Sequence, residues 1–397
     1  MKFTHRFPLA AALALLALFT VAHAANAATC VNIPAPAFAM TNWNDPARWS
    51  CGVVPGPNDV AILRRTIPGD PFSPVPHVEL NGALTLKGFI VEAGRMEGTH
   101  TITVTDFMEW RDGDLAYTNT APFFSQSLIV IAPSAVMTFT PDLFALMGFD
   151  GSFRNLGAMR IDAAPGVYSG FNNCVVLENA GTLTVRRGGS FSLGCPIHNT
   201  GAINVNMAAG DRVTFGSIRN DGVIELGGGE VRIGSLDNGI TQRSGSTRLT
   251  NAKLEGGVIL DGGTLEGSGV ITSTRVTNRA LLNPTGRLTL SFFGGPAFTQ
   301  SPTGTLQIDI AGTGAGQADQ IALTNFSAVA QLDGTIDVNF VSGFAPTNSD
   351  SFIVLTAESI NGAFATENSS LPVRYGATHV VVGAALDKFV YLPVAGN

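Results

Sequence analysis

The sequence predicts an all-β fold, a mostly parallel β-helix (β-solenoid) with an N-terminal cap and a C-terminal β-rich closing module. Three observations carry that prediction. The composition disfavours helices: 46 Gly and 21 Pro stand in 397 residues, only 13% of residues are charged, and Val, Ile, Thr and Phe are frequent. An Asn-x-Gly motif recurs at steps of 24, 20 and 21 residues. The four cysteines form two pairs with one spacing, 21 residues.

In chain order, residues 1–27 read as a secretory signal. Lys2 and Arg6 precede the apolar stretch Phe7–Ala22, and Ala22-His23-Ala24 and Ala25-Asn26-Ala27 both suit cleavage. The stretch is short for a membrane span, and no later segment resembles one. Residues 28–62 are expected to form the cap, 63–300 the solenoid and 301–397 the closing module. The net charge of −7 does not suit a phosphate backbone as a partner, and no basic stripe or RNA-binding signature is present.

The repeat has the form apolar-x-Asn-x-Gly-x-apolar-x-apolar. It runs through Asn155 and Gly157, Asn179 and Gly181, Asn199 and Gly201, and Asn220 and Gly222, with a weaker copy at Asn278 where Ala280 replaces Gly. Between the copies lie Phe191-Ser192-Leu193-Gly194, Val213-Thr214-Phe215-Gly216 and Val231-Arg232-Ile233-Gly234. The expected unit is therefore two short strands and two small-residue corners in roughly 20 residues. Such a unit cannot bury its apolar face alone, so units must stack with strands ~4.8 Å apart. Asn at one corner of every unit can pass amide hydrogen bonds from coil to coil. Gly two residues later is expected to supply a left-handed corner.

An exported chain with an even cysteine count suggests disulfides. Cys174 and Cys195 stand at nearly equal offsets before Asn179 and Asn199, which places them on adjacent coils and favours Cys30–Cys51 and Cys174–Cys195 among the three pairings. No C-x-x-C pair supports zinc, and no cofactor is expected.

Both ends resemble a known group. Asn42-Trp43-Asn44-Asp45-Pro46-Ala47-Arg48-Trp49-Ser50, followed by Gly52-Val53-Val54-Pro55-Gly56-Pro57-Asn58-Asp59-Val60-Ala61-Ile62, resembles the entry element of bacterial β-helical surface proteins. Trp43 and Trp49 would cover the first coil, and Asp59 would fix the turn after Pro55-Gly56. Leu265-Glu266-Gly267-Ser268-Gly269, Gly304-Thr305-Leu306-Gln307-Ile308-Asp309-Ile310, Leu332-Asp333-Gly334-Thr335-Ile336 and Asp350-Ser351-Phe352-Ile353-Val354-Leu355 are similar in order to the C-terminal end of autotransporter passenger domains. The resemblance implies an adhesin-like role. Autotransporters continue into a membrane β-barrel; with the sequence ending at Asn397, self-export is not expected.

Candidate sites are few. Asp112 and Asp114 could offer oxygens to Ca²⁺, without a complete EF-type loop. Gly312–Asp319 resembles a calcium repeat with its offset wrong by one. Glu178 and His198 could form an acid–base pair beside the Asn column, in a solvent-facing row of Arg154, Glu178, His198, Arg219 and Asp237. Ser268 lacks an elbow context. His77, His100 and His379 show no partner in sequence. Asn325 and Asn368 fit a glycosylation pattern. Phe123-Phe124 and Phe292-Phe293 are expected in the core.

The expected function is that of an exported, non-catalytic binding or adhesion protein, secreted, at the cell surface or in the periplasm, with a glycan or a cell-surface protein as partner. A β-helical carbohydrate-active enzyme and a purely structural matrix component are the alternatives.

Overall fold

The computed structural model describes residues 27–35, 39–67, 73–117, 127–141, 147–162, 168–172, 174–187, 190–234, 239–273, 275–292, 296–325 and 328–384. The signal segment up to Asn26, Phe123-Phe124, Phe293 and Asp237 lie outside the described residues. No helix among the described residues is long and apolar enough to cross a membrane.

The chain winds as a mostly parallel β-solenoid. Each central coil carries three strands, not the expected two. Val176–Asn179, Thr182–Arg187 and Ser190–Leu193 make one coil, and Ile197–Asn199 begins the next. Each strand pairs in parallel with its counterpart one coil on, giving three sheets. Sheet I holds the strands ending at the Asn column, sheet II the strands after the Asn-x-Gly corner, and sheet III the strands of the second sequence pattern. The miscount has a physical cause: the Asn-x-Gly motif lies within what read as one arm, and the chain bends there.

Alternation fixes the faces. In sheet I, Phe153, Leu177, Ile197, Ile218 and Ile240 point inward at successive coils and are buried. The core is contiguous along the axis. Its N-terminal half is aromatic: Phe149 and Phe153 rings are 4.3 Å apart, and Trp110 stands 6.1 Å from Phe139. Phe292 is buried as expected.

The Asn column is buried and continuous. Asn155 Nδ2 donates to Asn179 Oδ1 at 2.7 Å, Asn179 to Asn199 at 2.6 Å, Asn199 to Asn220 at 2.6 Å, and Asn220 to Gln242 Oε1 at 2.8 Å. The same nitrogens also donate to backbone carbonyls one coil on, at Thr182, Ala202, Val223 and Ser246. Asn278 belongs to a second, separate ladder. Leu260 occupies the column between Gln242 and Asn278 and interrupts it, and Asn278 then donates to Gln300 Oε1 at 2.8 Å.

The repeat glycines serve a different purpose from the one expected. Gly157, Gly181, Gly201 and Gly222 do not have left-handed φ. They are needed because the coils touch there: a Cβ on Gly201 would stand 2.1 Å from the Gly181 carbonyl oxygen, and one on Gly222 2.2 Å from that of Gly201.

Both ends are closed. Trp43 and Trp49 are buried against each other, ring centroids 4.6 Å apart, and Trp49 Nε1 donates to the Trp43 carbonyl at 2.9 Å. Asp59 accepts from Gly56 N and Ala28 N, each at 2.9 Å, fixing the turn and the start of the first strand. Cys30–Cys51 joins these segments with Cα atoms 5.0 Å apart, and Cys174–Cys195 joins adjacent coils at 4.8 Å. At the far end, parallel pairing runs past the expected boundary at 300: Thr305–Ile310 pairs with Thr335–Phe340, which pairs with Thr366–Asn368. The closing element is therefore shorter than expected. Val373–Tyr375 and His379–Gly383 form an antiparallel hairpin against Ser351–Thr356.

Candidate functional site

Three grooves on the solenoid wall gather the polar side chains. Each arises because outward positions of successive coils stack in register, so residues roughly 20 apart in sequence become neighbours.

The first lies on sheet III near the N-terminal end, with a volume of about 370 Å³. His77, Arg95 and Asp114 occupy one outward row on consecutive coils. Asp114 Oδ2 is 3.4 Å from Arg95, while its Oδ1 accepts from Gly148 N at 3.0 Å. Asp112 Oδ2 is 3.7 Å from Arg65, and its Oδ1 accepts from Gly113 N at 2.8 Å. The two carboxylates considered for Ca²⁺ thus face guanidinium groups and backbone amides rather than a shared centre. No group of three or more His, Cys, Asp or Glu able to hold a metal occurs among the described residues. His77, which lines this groove, has its Nε2 2.8 Å from Oε1 of Glu97, a residue outside the lining. Sequence reasoning missed this pair, although Glu97 stands two residues beyond Arg95, the counterpart of His77 one coil on.

The second groove, about 330 Å³, lies over the Asn corner and is lined by Arg154, Glu178, His198 and Arg219. These form one outward row, which continues into Thr241; Asp237, expected next in it, lies outside the described residues. Glu178 and His198 are register neighbours, but the Glu178 carboxylate accepts from Arg154 Nε at 2.7 Å. Arg219 is 3.3 Å from Asp221. The arrangement makes a row of exposed charges tied to arginines, not a proton relay.

The third groove is the largest of these, about 540 Å³, and no sequence signal pointed to it. It lies where the chain passes from sheet II to sheet III. The connection there shortens along the axis: residues 207–211, then two residues on each of the next two coils, 228–229 and 251–252, then Gly269 alone. On the following coil residues 285–287 stand opposite the single Ser268 and push outward again. The wall therefore has a waist at Gly269, between the Asp211 turn and the Arg287 bulge. A Cβ on Gly269 would come within 2.3 Å of the Ala252 carbonyl. Its polar members are Asp211, Glu230, Asn251, Lys253, Arg287 and Thr289. Glu230 lies 3.0 Å from Arg212 and 3.5 Å from Lys253. Burial works against its charge, but the contact with Arg212 and the charge of Lys253 outweigh it and lower its pKa.

The remaining candidates are structural in geometry. Asp319 is buried; it accepts from Gly286 N at 2.5 Å and from Asp309 N at 2.9 Å, so it ties the 312–319 loop to the neighbouring coil. Ser268 lies within the strand Thr264–Ser273, 3.4 Å from Asn251 Oδ1, with no helix after it. His100 is buried in the core, and His379 sits in the closing hairpin. Asn368 donates to Asp337. Compared with protein-family models, curated proteins and solved structures, the chain finds no match, so its reading rests on the solenoid fold and these grooves.

Proposed function

We propose that this is an exported, non-catalytic binding protein of the adhesin type, whose solenoid wall holds a glycan or a cell-surface protein through many weak contacts. The observation that carries the reading is the pairing of outward side chains across coils. Arg154–Glu178, Arg212–Glu230–Lys253, Arg232–Glu255, Arg248–Glu266 and Arg279–Asp261 each join consecutive coils. Individually such exposed pairs add little stability, about 0–1 kcal/mol. Their effect is to hold donors and acceptors at ~4.8 Å steps before a ligand arrives, which lowers the ordering cost of binding. Repetition along the axis multiplies weak contacts. The same pairing disfavours hydrolysis, since Glu178, Asp112 and Asp114 are engaged by arginines. Two disulfides suit an oxidising compartment, outside the cell or in the periplasm. The resemblance of the N-terminal end to bacterial β-helical surface proteins and of the C-terminal end to autotransporter passengers agrees with this role.

The test is a glycan-array and whole-cell binding assay on the chain from Ala28, run beside a polysaccharide-cleavage screen. Selective binding without product supports the reading. New reducing or unsaturated ends would replace it with an enzyme, and His77 and Glu97 would be the first residues to mutate.

A further inference from the structure

We infer that the waist at Gly269 is a binding site for an acidic saccharide, with the carboxylate of a uronic acid residue seated between Arg287 and Lys253. The inference rests on the binding-protein reading and assigns a place and a ligand class to it.

The shape comes first. A groove of about 540 Å³ lies within the ~300–1,000 Å³ typical of small-molecule sites. It is bounded across the coils by the Asp211 turn and the 285–287 bulge, so a chain ligand would lie along the notch with walls on two sides. Its floor is small and partly aliphatic: Gly269 and Val270 are half-buried there, above the buried Ala252. No aromatic residue lines it, which disfavours a lipid or an apolar peptide side chain.

The charge comes next. The chain as a whole carries −7. Here two cations, Lys253 and Arg287, line the notch with two carboxylates, Asp211 and Glu230, and Arg212 just outside it also meets Glu230, so the notch lacks the negative excess of the chain. Arg212 and Lys253 both serve Glu230, whereas Arg287 has no ion-pair partner among the described residues. An exposed guanidinium with its fork free favours a planar carboxylate. The two carboxylates discriminate in turn. They tolerate one charge per sugar but repel a densely charged polyphosphate or sulfated chain. Hydroxyl groups would find Asp211, Thr289 and the exposed amide of Asn251, whose Oδ1 is oriented by Ser268.

The experiment is titration calorimetry of the chain from Ala28 with a tetragalacturonate, a neutral tetrasaccharide of glucose and a sulfated heparin-type tetrasaccharide, at 50 and 200 mM salt. Variants are R287Q, K253Q and R160Q, the last an exposed arginine on another face. Circular dichroism checks that each folds. The expected result is binding of the uronate, at least tenfold weaker in R287Q, weaker again in K253Q/R287Q, unchanged in R160Q and reduced by salt. The inference fails if wild type ignores the uronate, if R287Q binds it as wild type does, or if the neutral or sulfated probe binds better. Retained whole-cell binding by R287Q would confine that failure to this site, while loss of whole-cell binding in wild type itself would remove the underlying reading.

Discussion

Asn199 Nδ2 lies 2.6 Å from Asn220 Oδ1, one coil away and fully buried, and the same Asn199 accepts from Asn179 Nδ2 at 2.6 Å. It is therefore both donor and acceptor within the ladder. Asn155 is not: its Nδ2 donates, but its Oδ1 has no donor among the described residues, and Ile131 fills the column one coil earlier. Asn199→Ala removes two ladder hydrogen bonds, leaving Asn179 Nδ2 with the Ala202 carbonyl and Asn220 Oδ1 with Gly222 N, whereas Asn155→Ala removes one. With about 0.5–1.5 kcal/mol for each lost hydrogen bond, N199A should cost about 1–3 kcal/mol and N155A roughly half of that. Urea midpoints compare them, and equal losses would argue against a directional ladder.

Two kinds of glycine should respond differently to alanine. Gly201→Ala drives a methyl into the Gly181 carbonyl and should separate the coils, at a cost of about 3 kcal/mol or more. Gly210→Ala meets nothing within 4 Å and pays only for its φ of 93°, about 1–2 kcal/mol. Thermal melts of both variants decide this; a milder effect for G201A would contradict the close approach.

His100 gives stability a defined pH dependence. Burial lowers its pKa to about 4, against backbone contacts from Leu80 and Gly98 that raise it. The unfolded chain binds a proton below about pH 6.5 that the folded chain refuses until about pH 4. Stability should therefore fall as pH drops through that window, by about 3 kcal/mol at ~1.36 kcal/mol per unit, and level off below it. Asp319 acts in the opposite sense, since burial raises its pKa and protonation relieves it. His100→Leu should flatten the slope between pH 6.5 and 4. Denaturation curves at four pH values would show it, and a slope identical to wild type would exclude His100 as the source.

Reducing Cys30–Cys51 should loosen the entry cap first. A closed loop of 21 residues corresponds to about 3 kcal/mol in chain entropy. In dithiothreitol, limited proteolysis is expected to cut around Trp43–Trp49 before the central coils. Cuts that begin at Asn199–Gly222 instead would show that the bond does not govern this end.

How much of this was legible follows from what a side chain must do. The Asn column could be read because a buried amide that bonds its own copy must recur at the coil period. Gln242 and Gln300 carry the same amide but lack the glycine two positions on, so the pattern passed over them. The third strand stayed hidden because the bend at Asn179-Ala180-Gly181 has no loop to announce it. Left-handed corners were expected of glycines that instead yield space to a neighbouring carbonyl, a contact between coils that one coil's sequence cannot display. The waist at Gly269 is a difference in connection length between coils, and it becomes visible only when the registers are aligned.

The stacking of equivalent coils has a consequence for how this protein can change. Coils contact mainly their neighbours, and the corner at Gly201 meets its counterpart Gly181 just as Gly222 meets Gly201. Duplicating residues 200–220 would insert one more full turn of the chain and lengthen the molecule by ~4.8 Å while leaving both caps untouched. Length is thus a nearly free variable, adjustable by unequal recombination. The reach of the protein and the position of the Gly269 waist along it can then vary independently of the chemistry of that waist.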